Sequence, residues 1–309
     1  GKALGYKEDR DMFPYAISAI RQLTPKVFIF ENVKGLLRQS FARYFSYIIL
    51  QLTYPHVELK NLDWERNLSL LERIHTEGSY KELKYNVIFR LLNAADYGVP
   101  QRRERVVIVG IRNDLNVAWN FPEGTHSQEA LLWDKYVTGS YWERHNLIPP
   151  FGEQRQQALQ KERLLSQYGM FPPVKAPWQT VRDALQGLPV PLEASESYDE
   201  HLLRTGAKEY AGHTGSDIDQ PSKTIKAGGH GVPGGENMIK YPDGKVRYYT
   251  VLEAKRIQTF PDDYSISGSW TEAMRQIGNA VTVRLANEIA ESLFKSVFEC
   301  RNAFCIFFV

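Results

Sequence analysis

Three short apolar segments, separated by amphipathic stretches, constrain the fold more than any other feature of this sequence. The segments are VFIF at 27–30, YNVIFRLL at 85–92 and VVIVGI at 106–111. Short apolar runs rich in β-branched residues are typical of strands that are buried in a sheet. Stretches with helical spacing of apolar residues lie at 14–23, 36–52 and 64–76. The alternation predicts an α/β fold, with helices on the faces of a sheet and with the first segment as a buried parallel strand.

The composition changes after Arg112. Residues 113–246 carry many Pro, Gly, Trp and Tyr, show little periodicity, and include the glycine-rich run 228–235. This texture is typical of an irregular domain built on loops. Helical periodicity returns at 251–258 and 281–298. The prediction is a main domain in two pieces with a smaller irregular domain between them. The predicted parts are 1–112, 113–246 and 247–309.

Composition and charge exclude several classes of protein. No run approaches the roughly 20 apolar residues that a membrane span needs. The formal net charge of +2 allows a nucleic-acid partner without demanding one. The two cysteines, Cys300 and Cys305, exclude a disulfide framework and favour an intracellular, reducing compartment. They have no histidine neighbours, so no metal site is predicted.

Glu31 and Asn32 stand where the first apolar segment ends. In open α/β sheets ligands bind beyond the carboxyl ends of the strands, so a carboxylate at this point faces a crevice. An asparagine here has a structural alternative, because it could cap the helix that follows. The pattern alone leaves both interpretations open.

The run QRRER at 101–105 leads into the third apolar segment. If Arg103 and Arg105 lie on extended chain, their side chains share one face, because strand side chains alternate. Two guanidiniums together would hold phosphate or carbonyl oxygens. The alternative is a solvated charge cluster that pairs with Glu104.

A third polar feature is Gly278-Asn279, which comes just before the last periodic stretch. Backbone N–H groups and an amide side chain at the N-terminus of a helix suit a polar ligand. A plain capping turn is the alternative.

Four blocks of the sequence, in this order, carry a resemblance to a known family. They are PKVFIFENVKGLL, ADYGVPQRRERVVIVGIR, YYTVLEAKRIQTFPDDY and QIGNAVTVRLANEIA. The chain resembles the C-terminal portion of the DNA cytosine-5 methyltransferase family over about 1–112 and 247–297. Residues 1–13 are similar to the stretch that follows the family's catalytic loop. The region between the matching parts is where the family keeps its variable target-recognition domain.

The resemblance implies a fold, a reaction and partners. The fold would be a Rossmann-like methyltransferase sheet, here incomplete, with a smaller, irregular target-recognition domain. The reaction would transfer a methyl group from S-adenosylmethionine to C5 of a cytosine flipped out of duplex DNA, leaving S-adenosylhomocysteine and needing no metal. The implied partners are duplex DNA and a cognate restriction endonuclease, in the cytoplasm and at the nucleoid if the source is bacterial.

The resemblance also assigns roles to residues. It implies that Glu31 contacts N3 and N4 of the cytosine, and that Gln101 orients the loop around it. Arg103 and Arg105 would hold the cytosine O2, the adjoining phosphate and the loop. The implied cofactor-binding residues are Asn279, Ala280, Met12 and Phe13. The implied DNA-binding residues lie in the run QPSKTIKAGGHGVPGG and are Lys223, Thr224, Ile225, Lys226, Gly228 and Gly229.

Two family motifs do not occur in the chain: the glycine-rich cofactor motif and the Pro-Cys-Gln nucleophile. Cys300 and Cys305 lie beyond the last block and lack that context. We therefore expect the chain to be inactive alone, as a fragment, a truncated product or one subunit of a split enzyme whose second polypeptide supplies the cysteine. The alternatives are a sequence-specific DNA-binding module without catalysis and, less favoured, a tRNA cytosine-5 methyltransferase.

Overall fold

The structure is a computed structural model. It describes residues 12–59, 63–149, 154–191, 200–227, 237–299 and 307–308. The chain divides into two compact units. Unit 1 comprises 1–92, 104–121 and 290–309, and unit 2 comprises 93–103 and 122–289. The three-part organisation stays a prediction. The two units follow other boundaries, since 247–289 belong to unit 2 together with most of 113–246.

The secondary structure alternates as the sequence predicts over its first third. The strands are β1 (Val27–Val33), β2 (Tyr85–Asn93), β3 (Glu104–Arg112), β4 (His126–Ser127), β5 (Ala176–Pro177), β6 (Ser216–Asp217), β7 (Met238–Lys240), β8 (Val246–Tyr248) and β9 (Phe307–Phe308). The α-helices are α1 (Phe13–Leu23), α2 (Ala42–Thr53), α3 (Trp64–Glu77), α4 (Gln128–Trp133), α5 (Ser140–Arg144), α6 (Gln154–Tyr168), α7 (Val181–Leu185), α8 (Val251–Ile257), α9 (Trp270–Asn279) and α10 (Val283–Phe294). Among the described helices, none is both long and apolar enough to cross a lipid bilayer.

The main sheet lies in unit 1 and has the strand order β2-β3-β1-β9. All three predicted strands are present. The parallel direction predicted for the first strand is wrong for its pairing with β3, which is antiparallel and places Val27 opposite Ile111 and Val33 opposite Arg105. β1 is parallel only to the short β9. An apolar run indicates that a strand is buried on both faces. It does not indicate whether the neighbouring strand is parallel or antiparallel.

Helices α1 and α2 cover the sheet because their apolar residues share one side. Ile17 and Ile20 of α1 are buried, as are Phe45, Ile48 and Leu52 of α2, and they pack with Phe28, Val106 and Ile108 of the sheet. Helix α1 has a proline in its first turn and ends at Thr24, in a left-handed conformation, just before Pro25. The predicted helix 36–52 starts later than expected, because 3₁₀ turns occupy Lys34–Leu37 and Gln39–Phe41.

A close contact between β1 and β3 yields a stability prediction. Phe28 lies opposite Gly110, and a Cβ on Gly110 would lie 2.0 Å from Cζ of the Phe28 ring. We expect Gly110→Ala to lower the free energy of unfolding by about 1–3 kcal/mol, because the ring must leave its place in the core. Denaturant titration measures the change. Gly35→Ala is the control, because its nearest neighbour is the Arg38 side chain at 3.7 Å. Equal stability of both variants would contradict the packing argument.

The core of unit 2 joins the irregular region to the C-terminal helices. Its buried residues come from α8, α9 and the extended segments around β6, β7 and β8. They include Ile218, Ile225, Ile239, Tyr249, Ala254, Ile257, Met274 and Ile277. Helices α7 and α8 both begin with a complete capping box, Thr180 with Asp183 and Thr250 with Glu253. These caps satisfy backbone N–H groups that would otherwise be unpaired at buried helix ends.

A buried network of charged groups lies in the same unit. Asp219 accepts hydrogen bonds from Arg182 Nε (2.6 Å) and from the Tyr141 hydroxyl (2.7 Å). Burial alone would raise the pKa of Asp219, and these donors hold it below its usual value. Lys135 donates to the Asp219 carbonyl and lies over the Tyr141 ring, 4.6 Å from its centroid. Burial lowers the pKa of Lys135 from 10.5 to about 8.

The lowered pKa of Lys135 predicts a pH dependence of stability. Between about pH 8 and 10.5 the unfolded chain binds more protons at this lysine than the folded chain does. The free energy of unfolding should therefore rise with pH across that window, by up to about 1.4 kcal/mol per pH unit. Lys135→Met removes this titrating group. The free energy of unfolding of the original chain, minus that of the variant, should therefore increase with pH. Urea unfolding at about pH 7.5, 8.5 and 9.5 measures it, and a constant difference would contradict the prediction.

Candidate active site

Glu31 and Arg105 meet on one face of the main sheet in unit 1. Glu31 lies opposite Val107 on the antiparallel neighbour, and Arg105 is two residues from Val107 on the same strand. Side chains two residues apart on a strand point to the same face, so the two groups are diagonal neighbours. Arg105 Nε lies 2.6 Å from Glu31 Oε1, and the side chains are 14% and 25% exposed. A carboxylate and a guanidinium are thus held together at a partly open position.

The geometry of this ion pair leaves acceptor capacity on the carboxylate. Within the described part of the chain, Glu31 Oε1 accepts no hydrogen bond, because the N–H of Arg105 does not point along the short contact. Arg105 directs another donor, Nη1, to the carbonyl of Glu104 at 2.9 Å. The contact is therefore mainly Coulombic. Oε1 itself is buried against Arg105, so a ligand would reach the pair through the exposed quarter of the Glu31 side chain.

Arg103 has a different environment from the one predicted. Its side chain is buried in unit 2, and the residue is 2% exposed. The guanidinium donates to the carbonyl oxygens of Ile225 (3.2 Å), Gly278 (2.9 Å) and Ala280 (3.0 Å). The buried position differs from the open guanidinium that the pairing with Arg105 suggested, and the roles implied for Arg103 stay predictions. The strand begins at Glu104, so the alternation argument does not reach Arg103.

Gln101 is fully buried in unit 2 and bonds through both ends of its amide. Its Oε1 accepts from the Ile225 N–H at 3.0 Å, and its Nε2 donates to Gln258 Oε1 at 3.2 Å. The adjoining backbone pairs with the segment around Ser222, since Arg102 N donates to the Ser222 carbonyl at 2.8 Å. The structure thus brings Gln101 against the segment that the sequence predicts to contact DNA.

The predicted DNA-binding residues differ in accessibility. Ile225 is fully buried in the unit 2 core, and its role in DNA binding stays a prediction. Thr224 donates its hydroxyl to the Arg102 carbonyl at 2.8 Å, and Lys223 Nζ donates to Thr214 Oγ1 at 2.8 Å. The Lys226 side chain is exposed. Gly228 and Gly229 lie outside the described residues.

Two of the predicted cofactor-binding residues are at the end of a helix rather than at the start of one. Asn279 is the last residue of α9 and is exposed, and Ala280 is the C-cap. The expectation of a helix N-terminus at Gly278-Asn279 is wrong, because α10 begins only at Val283. Helix α9 itself was not predicted, since the Gly-Asn pair suggested a turn. In unit 1, Met12 is 64% exposed, and Phe13 packs against the core of the sheet.

The sequence argument missed Gln258 and the packing role of Gly278. Gln258 follows α8, is fully buried, and donates from Nε2 to the Ile277 carbonyl at 2.5 Å. A Cβ on Gly278 would lie 2.4 Å from the Ala227 backbone nitrogen. The sequence signal for Gln258 was its place four residues after Ala254, on the apolar side of the predicted helix 251–258. A polar side chain on a helix face that is buried needs hydrogen-bond partners. No signal in the sequence reveals the neighbour of Gly278.

Comparison with known proteins identifies the class of protein and then the family. A solved structure of a prophage-encoded chain from E. coli, described as a DNA modification methyltransferase, aligns with 95% of this chain and 76% of its own length. The TM-score is 0.51 at 17% identity, so the likeness shows a methyltransferase fold. The model of the C-5 cytosine-specific DNA methylase family matches residues 1–54 and 60–295. The chain belongs to that family.

Curated relatives are bacterial type II methyltransferases. The chain is 28% identical to M.SacI of Streptomyces achromogenes over 91% of this chain and 63% of the relative. It is 29% identical to M.BspRI of Lysinibacillus sphaericus over 95% of this chain and 56% of the relative. The chain therefore spans somewhat more than half the length of these relatives.

Proposed function

We propose that this chain is the part of a DNA cytosine-5 methyltransferase that binds the target cytosine and reads the DNA around it. The methyl group comes from S-adenosylmethionine, which supplies an electrophilic carbon when it is bound. A thiolate that adds to C6 makes C5 nucleophilic, and a segment outside these 309 residues supplies it. The single observation that carries the proposal is the partly open Glu31–Arg105 pair, at 2.6 Å, in a chain of this family.

The pair suits the electronic demands of a cytosine. Addition of a thiolate at C6 pushes electron density onto N3 and O2 of the ring, so a donor near each lowers the energy of the transition state. In this proposal the Glu31 carboxyl group shares a proton with N3 and accepts a hydrogen bond from the exocyclic amine. Arg105 donates to O2. The position of the pair fits that role, because both side chains are partly open and Arg105 contacts Glu31 Oε1 without a hydrogen bond between them.

The residues at the end of α9 fit a polar cofactor group. Asn279 presents an exposed amide there, and Ala280 adds only a methyl group beside it. In unit 1, Met12 offers an exposed apolar side chain of the kind that packs against an adenine or a thioether. In unit 2, Asn279 and Ala280 would hold a polar group of S-adenosylmethionine, while duplex DNA is the substrate. The place of action would be the compartment that holds the DNA, which in a bacterium is the cytoplasm, alongside a cognate restriction endonuclease.

Methyl transfer from radiolabelled S-adenosylmethionine to duplex DNA tests the proposal. The chain is assayed alone and after addition of a polypeptide that carries the Pro-Cys-Gln segment of a relative. We expect activity only in the mixture, with the label on C5 of cytosine. Tight, sequence-selective DNA binding without transfer would instead indicate a DNA-binding module. Label that appears on tRNA in preference to DNA would show a tRNA methyltransferase.

A further inference from the structure

A chain of buried hydrogen bonds in unit 2 runs from Ile225 through two glutamines to Ile277. The Ile225 N–H donates to Gln101 Oε1, Gln101 Nε2 donates to Gln258 Oε1, and Gln258 Nε2 donates to the Ile277 carbonyl. Both glutamines are fully buried. A backbone N–H can only donate and a carbonyl can only accept, so the direction of all three bonds is fixed. Each glutamine amide therefore has one satisfied orientation.

This chain of three hydrogen bonds, here called the relay, joins two segments of functional interest. The first, here called the recognition segment, is 224–227, and the second is the end of α9 at 277–280. Arg103 bridges the same two segments through the carbonyl oxygens of Ile225, Gly278 and Ala280. The Lys226–Ala227 backbone also packs directly on Gly278, where a Cβ would lie 2.5 Å from the Lys226 carbonyl carbon. Three independent contacts thus fix the recognition segment against the helix end.

Gln258 holds the middle of this arrangement. Its backbone carbonyl accepts from the Val283 N–H at 3.1 Å, at the start of α10, while its side chain serves the relay. Loss of the side-chain amide would leave Gln101 Nε2 without its described partner, and the Ile277 carbonyl with only the Ala280 N–H at 3.2 Å. Buried polar groups without partners are costly, so Gln101 would turn toward another partner and release the Ile225 N–H.

We propose that Gln258 is a positioning residue that, through Gln101, sets the place of the recognition segment and so determines discrimination among DNA sites. The claim about DNA rests on the proposed function, and the claim about position does not. Gln258 itself touches neither the cytosine nor the DNA in this proposal. Its effect reaches the DNA through Thr224 and Lys226, which flank the anchored Ile225.

Amide hydrogen exchange of the chain, followed by NMR, tests the positional claim. In Gln258→Met, which keeps the volume and removes both polar atoms, the Ile225 amide should exchange about tenfold faster. The Ile218 amide, which donates to the Lys240 carbonyl, should keep its rate. Gln276→Met, on the exposed side of α9, is the control and should leave both rates unchanged. Unchanged exchange at Ile225 in Gln258→Met would overturn the proposal, because packing alone would then explain Gln258.

A second variant at the same position tests the relay independently of Gln258→Met. Gln258→Glu keeps an acceptor for Gln101 Nε2 and replaces the amide donor to Ile277 with a carboxyl oxygen, at the cost of a buried acidic group. The Ile225 amide should be better protected in Gln258→Glu than in Gln258→Met. Equal loss of protection in both would contradict the relay, because it would show that the acceptor atom of Gln258 has no part in holding Gln101.

DNA discrimination is measured with a pool of duplexes that carry randomised central base pairs. We expect the original chain to enrich particular sequences, and Gln258→Met to enrich them several-fold less, with total DNA binding within about threefold. A pool that the original chain binds without sequence bias would contradict the proposed function, while the exchange data would still decide the positional claim. Full bias in Gln258→Met would overturn the link between Gln258 and discrimination.

Discussion

Replacing Glu31 with glutamine is expected to slow methyl transfer by about 10²-fold or more in the enzyme that includes the cysteine-bearing segment. Glutamine keeps the shape of the side chain, but its amide carries no charge to pair with Arg105 and cannot share a proton with N3. The lost contact belongs to the transition state, because charge develops on the ring only when the thiolate adds. Affinity for DNA should change much less, because the duplex binds before charge develops on the ring.

Single-turnover methylation and DNA binding, measured on the same preparation, separate these effects. Glu104→Gln is the matched control, because Glu104 is a neighbouring carboxylate on β3 that pairs with exposed Lys34 at 2.8 Å. Exposed pairs contribute little, so this variant should retain activity within about twofold. Equal losses of methylation rate and DNA affinity in Glu31→Gln would indicate a structural role for Glu31.

The apolar segments made the strands predictable, because burial on both faces leaves a continuous pattern in the sequence. Strand direction leaves no such pattern, and the antiparallel pairing of β1 with β3 is what brings Glu31 and Arg105 together. The sequence placed both residues in informative blocks, and their contact could be stated only once the register was known. The family resemblance selected Glu31 and Arg105 as site residues, and the pairing of β1 with β3 explains why their side chains are in contact.

Two other features show where sequence patterns mislead. Gly278-Asn279 suggested a turn, yet both residues complete α9. Glycine is tolerated inside this helix because the backbone at Lys226 and Ala227 lies where a Cβ would be. That contact joins residues about fifty positions apart, which no local pattern encodes. Ile225 was grouped with the DNA-binding residues because the run that contains it resembles a part of the family's target domains, and in the structure its apolar side chain lies in the core.

Replacing Arg103 with methionine is expected to lower the free energy of unfolding by about 3 kcal/mol or more. Methionine fills much of the space and removes every donor, so the carbonyl oxygens of Ile225, Gly278 and Ala280 lose a partner at once. Each buried acceptor left without a donor costs about 1 kcal/mol or more. Arg103→Lys should recover part of the loss, because one ammonium cannot reproduce the planar spread of a guanidinium over separate carbonyls.

Denaturant unfolding of the chain, followed by circular dichroism, measures these changes. Arg102→Met is the control from the neighbouring position, because that side chain is exposed and its removal should alter stability by less than about 0.5 kcal/mol. A stable Arg103→Met chain that has lost DNA binding would contradict the structural assignment, and would return Arg103 to the role of a direct phosphate or base contact. A destabilised chain identifies Arg103 as the cation that holds the recognition segment on the end of α9, and leaves Arg105 as the guanidinium available to the cytosine.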